Sequence, residues 1–199
     1  MKFLTCVYED LLAASVIRRL VKEFNNEVSI KQEINAHGFG KIKRDILKYN
    51  NAAKYMPFFI ITDLDKKECA VSLINEWFNN TKKEPELIFR VAIKEIDAWI
   101  LADRNGIAKV LNVSQSNIPA EPEKIEDPKA FLMQTAKKSK NREIRENFPP
   151  KDAFAHQGPL YNILLTSFVS EEWNLPEAMQ HSKSLEKTYN ALKRFAENA

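Results

Sequence analysis

The sequence predicts an α/β fold, in which a parallel sheet is flanked by helices and followed by a C-terminal helical extension. Strand-like and helix-like segments alternate through residues 1–103, which is the pattern of crossover units in a parallel sheet. The strand-like segments are mostly continuous apolar runs, as expected when helices cover both faces of the sheet. Residues 104–199 contain helical patterns but no convincing strand.

The first four elements follow from the spacing of apolar residues. Residues 3–8 form a short apolar run, which indicates a strand that is buried on both faces. Residues 11–24 then place apolar side chains along one face of a helix. Residues 28–34 alternate apolar and polar side chains like a half-buried strand, and residues 42–53 return to helical spacing.

The next four elements begin after Pro57, which disfavours helix in the residue before it and so marks a boundary. Residues 58–62 are β-branched or aromatic throughout and form the clearest strand of the chain. Residues 67–78 have helical spacing, and residues 87–93 form a fourth strand. Residues 95–101 begin another helix.

The second half of the chain has a different character. Three prolines between residues 117 and 128 indicate an extended loop. Apolar residues have helical spacing in three later segments: 129–138, 160–169 and 184–196. We predict that residues 1–103 form the α/β domain, and that residues 104–199 pack on it as a helical extension in a single compact unit.

The composition excludes several classes of protein. Hydrophobic residues make up 44% and charged residues 29%, so the chain is globular and not intrinsically disordered. Cys6 and Cys69 have no metal-type spacing, which argues against a disulfide framework or structural zinc, and Cys69 is expected to be a small buried side chain. No apolar stretch approaches the roughly 20 residues that cross a bilayer, and the N-terminal apolar run is too short for a signal peptide. We therefore expect a cytoplasmic protein without a membrane segment.

Acidic residues follow three of the four predicted strands. Glu9 follows the first strand, Asp63 and Asp65 follow the third, and Glu95 follows the fourth. Because ligands of open α/β sheets bind outside the carboxyl ends of the strands, these side chains are expected to converge in one pocket. Clustered carboxylates repel one another unless a cation neutralises them, and oxygen ligands with few histidines favour Mg²⁺ or Mn²⁺ over zinc. The alternative is that the acids after the third and fourth strands are helix N-caps.

The order of these elements resembles a known family. A strand ending in Glu, then helix, strand, helix and a strand ending in Asp-x-Asp, is similar to the Toprim fold, a Rossmann-like fold of topoisomerases, primases and OLD-type nucleases. The resemblance is strongest to small Toprim-like proteins of bacterial and phage-defence gene neighbourhoods, and it rests on residues 58–65 (FFIITDLD), 91–103 (VAIKEIDAWILAD) and 158–162 (GPLYN).

The resemblance implies a divalent-metal-dependent nuclease that cleaves DNA or RNA phosphodiesters in a defence or mobile-element context. By motif match, Glu9, Asp63 and Asp65 would hold Mg²⁺ or Mn²⁺, and Glu95 would support a second ion or a water. All four are therefore candidate catalytic residues.

The sequence departs from the family at Asp10, where Toprim enzymes commonly have Gly. This departure favours an alternative, a non-catalytic Toprim-like interaction module that binds a partner ATPase. A phosphatase or nucleotidyl transferase could use the same metal chemistry. The sequence does not determine the oligomeric state, so a homodimer stays open.

Two basic segments are candidate nucleic-acid contacts, because cations that neutralise phosphates provide sequence-independent affinity. The first lies at a predicted helix start after Gly38 and contains Lys41, Lys43 and Arg44. The second, the strongest basic run of the chain, contains Lys137, Lys138 and Lys140. The alternative for both is a solvated basic face.

A loop before Gly158 contributes two further candidates. Lys151 could stabilise developing negative charge, and His156 could act as an acid, a base or a phosphate contact. The alternative is that a lone loop histidine has no role.

Overall fold

Four parallel strands form the sheet, in the spatial order β2-β1-β3-β4. The computed structural model describes residues 1–152 and 154–198. The strands are β1 (Lys2–Tyr8), β2 (Val28–Asn35), β3 (Phe58–Asp63) and β4 (Leu87–Ala92). The predicted α/β class, with a parallel sheet flanked by helices, is confirmed.

Helices follow every strand and cover both faces of the sheet: α1 (Leu11–Lys22), α2 (Phe39–Ala52), α3 (Ala70–Phe78) and α4 (Ile96–Ala102). Successive side chains of β3 enter two separate cores. Phe59 and Ile61 pack in the core of α1 and α4, whereas Phe58 and Ile60 pack in the core of α2 and α3. This two-sided burial explains why the sequence of β3 is apolar at consecutive positions.

Helices and the loops between them make up the second half, and no strand lies between residues 104 and 152 or between 154 and 198. Its helices are α5 (Arg104–Val110), α6 (Pro128–Ala136), α7 (Arg142–Asn147), α8 (Pro159–Glu171), α9 (Leu175–His181) and α10 (Lys183–Glu197). Helix α8 packs on α1, helices α6 and α9 pack on α4, and α10 packs on β4. These helices therefore share the core of α1 and α4.

Several helix boundaries differ from the predicted ones for local reasons. Helix α2 begins at Phe39, three residues early, because Gly38 adopts φ +113 and turns the chain into the helix. Helix α3 begins late, at Ala70, because Cys69 is its N-cap and the Cys69 Sγ accepts a bond of 3.4 Å from the Ser72 N–H. The prediction that Cys69 is buried is wrong, since this cap is exposed.

A short 3₁₀ turn, Gln115–Asn117, leads into the Pro-rich segment 117–128, and a second one, Pro122–Lys124, lies within it, where the sequence predicts an extended loop. No helix within residues 1–152 and 154–198 has both the length and the apolar character needed to cross a membrane.

Candidate functional site

The carboxyl ends of β1, β3 and β4 meet at one edge of the sheet, because the three strands are parallel neighbours. Acidic side chains from all three strand ends lie there, and we call this group the acidic edge: Glu9, Asp10, Asp63, Asp65, Glu95 and Asp97. The Glu9 Oε1 accepts a hydrogen bond of 2.5 Å from the Thr62 hydroxyl and one of 3.4 Å from the Asp63 N–H. The structure therefore brings the predicted residues Glu9 and Asp63 together.

Asp63, the last residue of β3, makes a hydrogen bond to the start of α4. Its Oδ1 accepts a hydrogen bond of 2.9 Å from the Ile96 N–H, the first residue of α4. Asp63 thus caps α4, whereas Glu95, the N-cap residue by position, makes no side-chain cap bond. Burial raises the pKa of Asp63 well above its usual value, and the nearby carboxylates of Glu9 and Asp97 raise it further. The same burial raises the pKa of Glu9.

Asp65 lies on the outer side of the acidic edge. Its backbone adopts φ +51, and its N–H donates a hydrogen bond of 2.8 Å to the carbonyl of Lys94, which adopts φ +65. This left-handed pair of turn residues directs the chain away from the sheet, so the side chain of Asp65 is exposed. Partial burial nevertheless raises the pKa of Asp65.

Asp97 is the most deeply buried carboxylate of the edge, with 7% of its surface exposed. The hydroxyl of Tyr161, from α8, donates a hydrogen bond to Asp97 Oδ1. Burial raises the pKa of Asp97 to about 6, against the opposing effects of the Tyr161 bond and of Lys129. The Lys129 ammonium lies 5.0 Å from the centre of the Tyr161 ring.

Glu95 is half-buried beside these groups. Its Oε2 accepts a hydrogen bond of 3.2 Å from the Lys129 N–H, in the first turn of α6. Burial raises the pKa of Glu95 to about 7, and the charge of Asp97 contributes to this shift. A carboxyl group with a pKa near neutrality can exchange protons at physiological pH.

Sequence reasoning missed Asp97, Tyr161 and Lys129 as site residues. The sequence does place Lys129 at the start of the predicted helix 129–138, and Asp127 and Pro128 form the N-cap and first turn there, but no spacing in the sequence links Lys129 to Glu95. Tyr161 belongs to the segment 158–162 that carries the family resemblance, but no spacing in the sequence links it to Asp97.

Two hollows adjoin the acidic edge. A cavity of about 20 Å³ lies among Glu9, Asp10, Asp63 and Asp97, and a volume of this size admits a single water molecule. A larger cleft of about 510 Å³, which we call the lysine cleft, opens beside it. Acids, lysines and an exposed aromatic side chain line this cleft: Asp63, Asp65, Lys43, Lys66, Lys67 and Phe39.

The chemistry of the acidic edge fits a hydrated divalent cation. Within residues 1–152 and 154–198, no three His, Cys, Asp or Glu side chains converge closely enough to hold a metal ion directly. Mg²⁺ usually binds through one or two carboxylates and keeps several waters, so a full protein cage is not required. Glu9 and Asp63 supply such oxygens beside the water-sized cavity.

The first basic segment lies close to the acidic edge. The Gly38 N–H donates a hydrogen bond of 3.1 Å to the Glu9 carbonyl, which holds the start of α2 against the end of β1. Lys41 is exposed on the first turn of α2, and Arg44 lies 3.6 Å from Asp45.

Lys43 lines the lysine cleft together with Lys67. Both lysines pair with Glu76, at 2.7 and 2.6 Å. Their two hydrogen bonds lower the pKa of Glu76 to about 2. Glu76 thus holds two cations at the wall of the cleft.

The second basic segment and the loop candidates lie elsewhere. Lys137, Lys138 and Lys140 are exposed after the end of α6, whose first turn contacts Glu95. Nine helical residues span about 13 Å, so the basic run is at the far end of this helix from the acids. Lys151 and His156 are exposed, and neither contacts the acidic edge within the part of the chain that the structure describes.

The fold and the site together define an α/β protein with a Rossmann-like parallel sheet and a carboxylate cluster at its carboxyl edge. The chain matches no protein-family model, no curated protein and no solved structure.

Glu95 and Asp97 should make the stability of the protein depend on pH. They hold their protons to about pH 7 and about pH 6 in the folded state, whereas unfolded Glu and Asp titrate near pH 4. Between about pH 4 and about pH 7 the folded state binds more protons than the unfolded state, so the free energy of unfolding falls as pH rises. When the pH is raised from 4.5 to 7.5 in EDTA, we expect the melting temperature of the wild type to fall by a few degrees relative to that of a Glu95→Gln, Asp97→Asn variant. A difference that is the same at pH 4.5 and pH 7.5 would contradict these shifts.

Proposed function

We propose that this chain is a divalent-metal-dependent phosphodiesterase of the Toprim-like type, which cleaves nucleic acid at the acidic edge. One observation carries the proposal: Glu9 and Asp63 line the same water-sized cavity, where the Glu9 carboxylate accepts a bond from the Asp63 N–H, and Asp63 also lines the adjoining lysine cleft. Carboxylates that bind Mg²⁺ and cations that bind phosphate are the two components that phosphodiester hydrolysis requires.

The residues of the edge have distinct roles in this proposal. Glu9 and Asp63 would hold Mg²⁺ or Mn²⁺, and Asp65 would contribute from the side of the cleft. The bound ion would polarise a phosphoryl oxygen and lower the pKa of a water. Glu95, with its pKa near 7, is suited to accept the proton of the attacking water.

The cations around the acids complete the site. Lys66 and Lys67 would attract the phosphate backbone into the lysine cleft, where Phe39 offers an exposed ring for stacking of a base. Lys129 lies close enough to lower the pKa of Asp97, so it offsets part of the negative charge of the edge.

A second candidate function is a non-catalytic module that binds a partner ATPase. It is favoured by the structural roles of two acids, because Asp63 caps α4 and the Asp10 Oδ1 caps α1 through a bond of 2.9 Å from the Ala13 N–H. Such a module needs no metal ion.

The proposal is tested with the variant Glu9→Gln on plasmid, single-stranded DNA and RNA substrates in Mg²⁺ or Mn²⁺. We expect the wild type to cleave at least one substrate, and the variant to lose at least about a hundredfold in rate, as metal-ligand and transition-state contacts commonly do. The matched control is Glu27→Gln, which changes an exposed glutamate before β2, at the opposite edge of the sheet.

Calorimetric titration with Mn²⁺ separates the two candidates. Saturable binding that Glu9→Gln weakens and Glu27→Gln preserves supports the phosphodiesterase. Absence of both Mn²⁺ binding and cleavage contradicts it and leaves the interaction module.

A further inference from the structure

A second pocket lies at the amino ends of β1 and β4, on the edge of the sheet opposite to the acids. It has a volume of about 370 Å³ and is bounded on one side by α10. Four basic side chains line it, and we call it the cationic pocket: Lys2, Lys83, Arg90 and Arg194.

Three of the four basic side chains of the cationic pocket donate hydrogen bonds to neutral groups. The Lys2 ammonium donates a hydrogen bond of 3.0 Å to the Phe195 carbonyl and lies 4.4 Å from the centre of that ring. The Lys83 ammonium donates one of 2.7 Å to the Leu87 carbonyl.

Arg90, which lies on β4, also donates a hydrogen bond to a neutral group. The Arg90 Nε donates a hydrogen bond of 3.3 Å to the Thr188 hydroxyl. Among residues 1–152 and 154–198, no Asp or Glu forms an ion pair with any of the four cations. Glu86 also lines the pocket but is not paired with them.

The basic side chains of the cationic pocket repel one another. Arg90 is half-buried, and burial together with the charge of Arg194 lowers its pKa. Burial and the charge of Arg90 lower the pKa of Lys83 in turn. A cation withdrawn from water without an opposite charge raises the free energy of the folded state, and neighbouring like charges add to this cost.

We propose that the cationic pocket binds a small anion that carries two or more phosphate groups. A single phosphate group carries a charge of roughly −2, which is less than the four cations can neutralise. Arg90 uses only its Nε within the described residues, so its remaining donors can bind two phosphate oxygens at once.

The size of the pocket favours a small molecule over a nucleic acid. A volume of about 370 Å³ is in the range of small-ligand sites, and the half-buried Arg90 lies on a strand behind α10. The site is at the opposite edge from Glu9 and Asp63, and it does not depend on the proposed phosphodiesterase activity.

The test is titration of the protein with inorganic pyrophosphate and with inorganic phosphate, in EDTA so that no metal ion bridges to the acidic edge. We expect saturable binding with pyrophosphate tighter than phosphate, and Arg194→Ala should weaken pyrophosphate about tenfold, as lost charged hydrogen bonds do. The melting temperature of Arg194→Ala without ligand should equal or exceed that of the wild type, because the substitution removes a repulsive charge.

The matched control is Lys193→Ala. Lys193 precedes Arg194 in α10 and lies outside the pocket, and its ammonium is 3.8 Å from the Glu197 carboxylate. This variant should leave pyrophosphate binding unchanged. Lys83→Ala, which removes a second cation of the pocket, should weaken binding as Arg194→Ala does. The proposal is overturned if pyrophosphate does not saturate, if Lys193→Ala weakens it equally, or if a short oligonucleotide displaces it at lower concentration.

Discussion

Replacement of Asp63 by asparagine should remove metal-dependent cleavage and leave the protein at least as stable as the wild type. Asparagine keeps the side-chain oxygen that accepts the bond from the Ile96 N–H, so the cap of α4 is retained. It removes a carboxylate whose pKa is raised by burial and by the neighbouring charges of Glu9 and Asp97. Relief of this repulsion stabilises the folded state at neutral pH.

The loss of activity should be at least about a hundredfold, because an amide cannot replace the charge of a carboxylate toward a divalent ion. The measurements are cleavage in Mn²⁺ and a thermal melt in EDTA at pH 7.5. Full cleavage by Asp63→Asn would contradict the proposed function. A variant that loses stability would show instead that the charge of the Asp63 carboxylate stabilises the folded state.

A control with the opposite expected sign is Asp45→Asn. The carboxylate of Asp45 lies 2.8 Å from the Lys48 ammonium, whose hydrogen bond lowers the pKa of Asp45. Removal of a carboxylate that is stabilised in its charged form should lower the melting temperature at pH 7.5. Asp63→Asn and Asp45→Asn therefore shift the stability in opposite directions although the chemical change is the same.

The strands could be predicted because their burial leaves a direct mark on the sequence. Consecutive residues of β3 enter two different cores, so its run of apolar side chains is continuous from Phe58 to Ile61. The short helices α5, α7 and α9 contain seven, six and seven residues. Fewer than two full turns give little helical periodicity. Helix α4 is also seven residues long but follows a predicted strand, whereas α5, α7 and α9 follow no predicted element of that kind and were not predicted.

The site could be predicted only as far as the topology of the sheet determines it. Glu9 and Asp63 come together because the carboxyl ends of parallel strands share an edge. The pairing of Asp97 with Tyr161 spans 64 residues and depends on how α8 packs against α1. The apolar spacing of α8 predicts that a helix forms but does not specify this partner.

The cationic pocket could not be predicted from the distribution of charge along the sequence. Its four basic residues are scattered from Lys2 to Arg194 and belong to no basic run, so a scan for charge clusters does not detect them. The basic run at 137–145, which such a scan detects, lies in the turn after α6 and in α7, and Arg142 and Glu146 form an ion pair there at 2.8 Å. Sequence density of charge is therefore a weak guide to where basic side chains converge in this fold.

Gly158→Ala should destabilise the protein strongly and also impair the acidic edge. A Cβ at residue 158 would lie 2.2 Å from the Asn147 carbonyl oxygen, 2.5 Å from that of Pro149 and 2.6 Å from that of Phe148. All three are backbone atoms, so the clash cannot be relieved by rotation of a side chain. The φ of Gly158 is −81, which shows that the requirement is for space and not for a left-handed conformation.

We expect Gly158→Ala to lower the free energy of unfolding by about 1–3 kcal/mol, the range of overpacked sites that force a backbone shift. Gly158 is the N-cap residue of α8, and Tyr161 lies one turn into that helix. A shift of the helix start would therefore weaken the bond from Tyr161 to Asp97, and cleavage should decrease even in the fraction of protein that stays folded.

The matched control is Gly40→Ala, in the first turn of α2, where a Cβ would meet no atom within 4 Å. Alanine is the better helix former, so this variant should be more stable by about 0.5–1 kcal/mol. Urea unfolding of the three proteins measures both effects. If Gly158→Ala is as stable as Gly40→Ala, the close approach of three carbonyls to residue 158 does not hold in solution. If it is destabilised yet cleaves normally once folded, Tyr161 does not support the acidic edge.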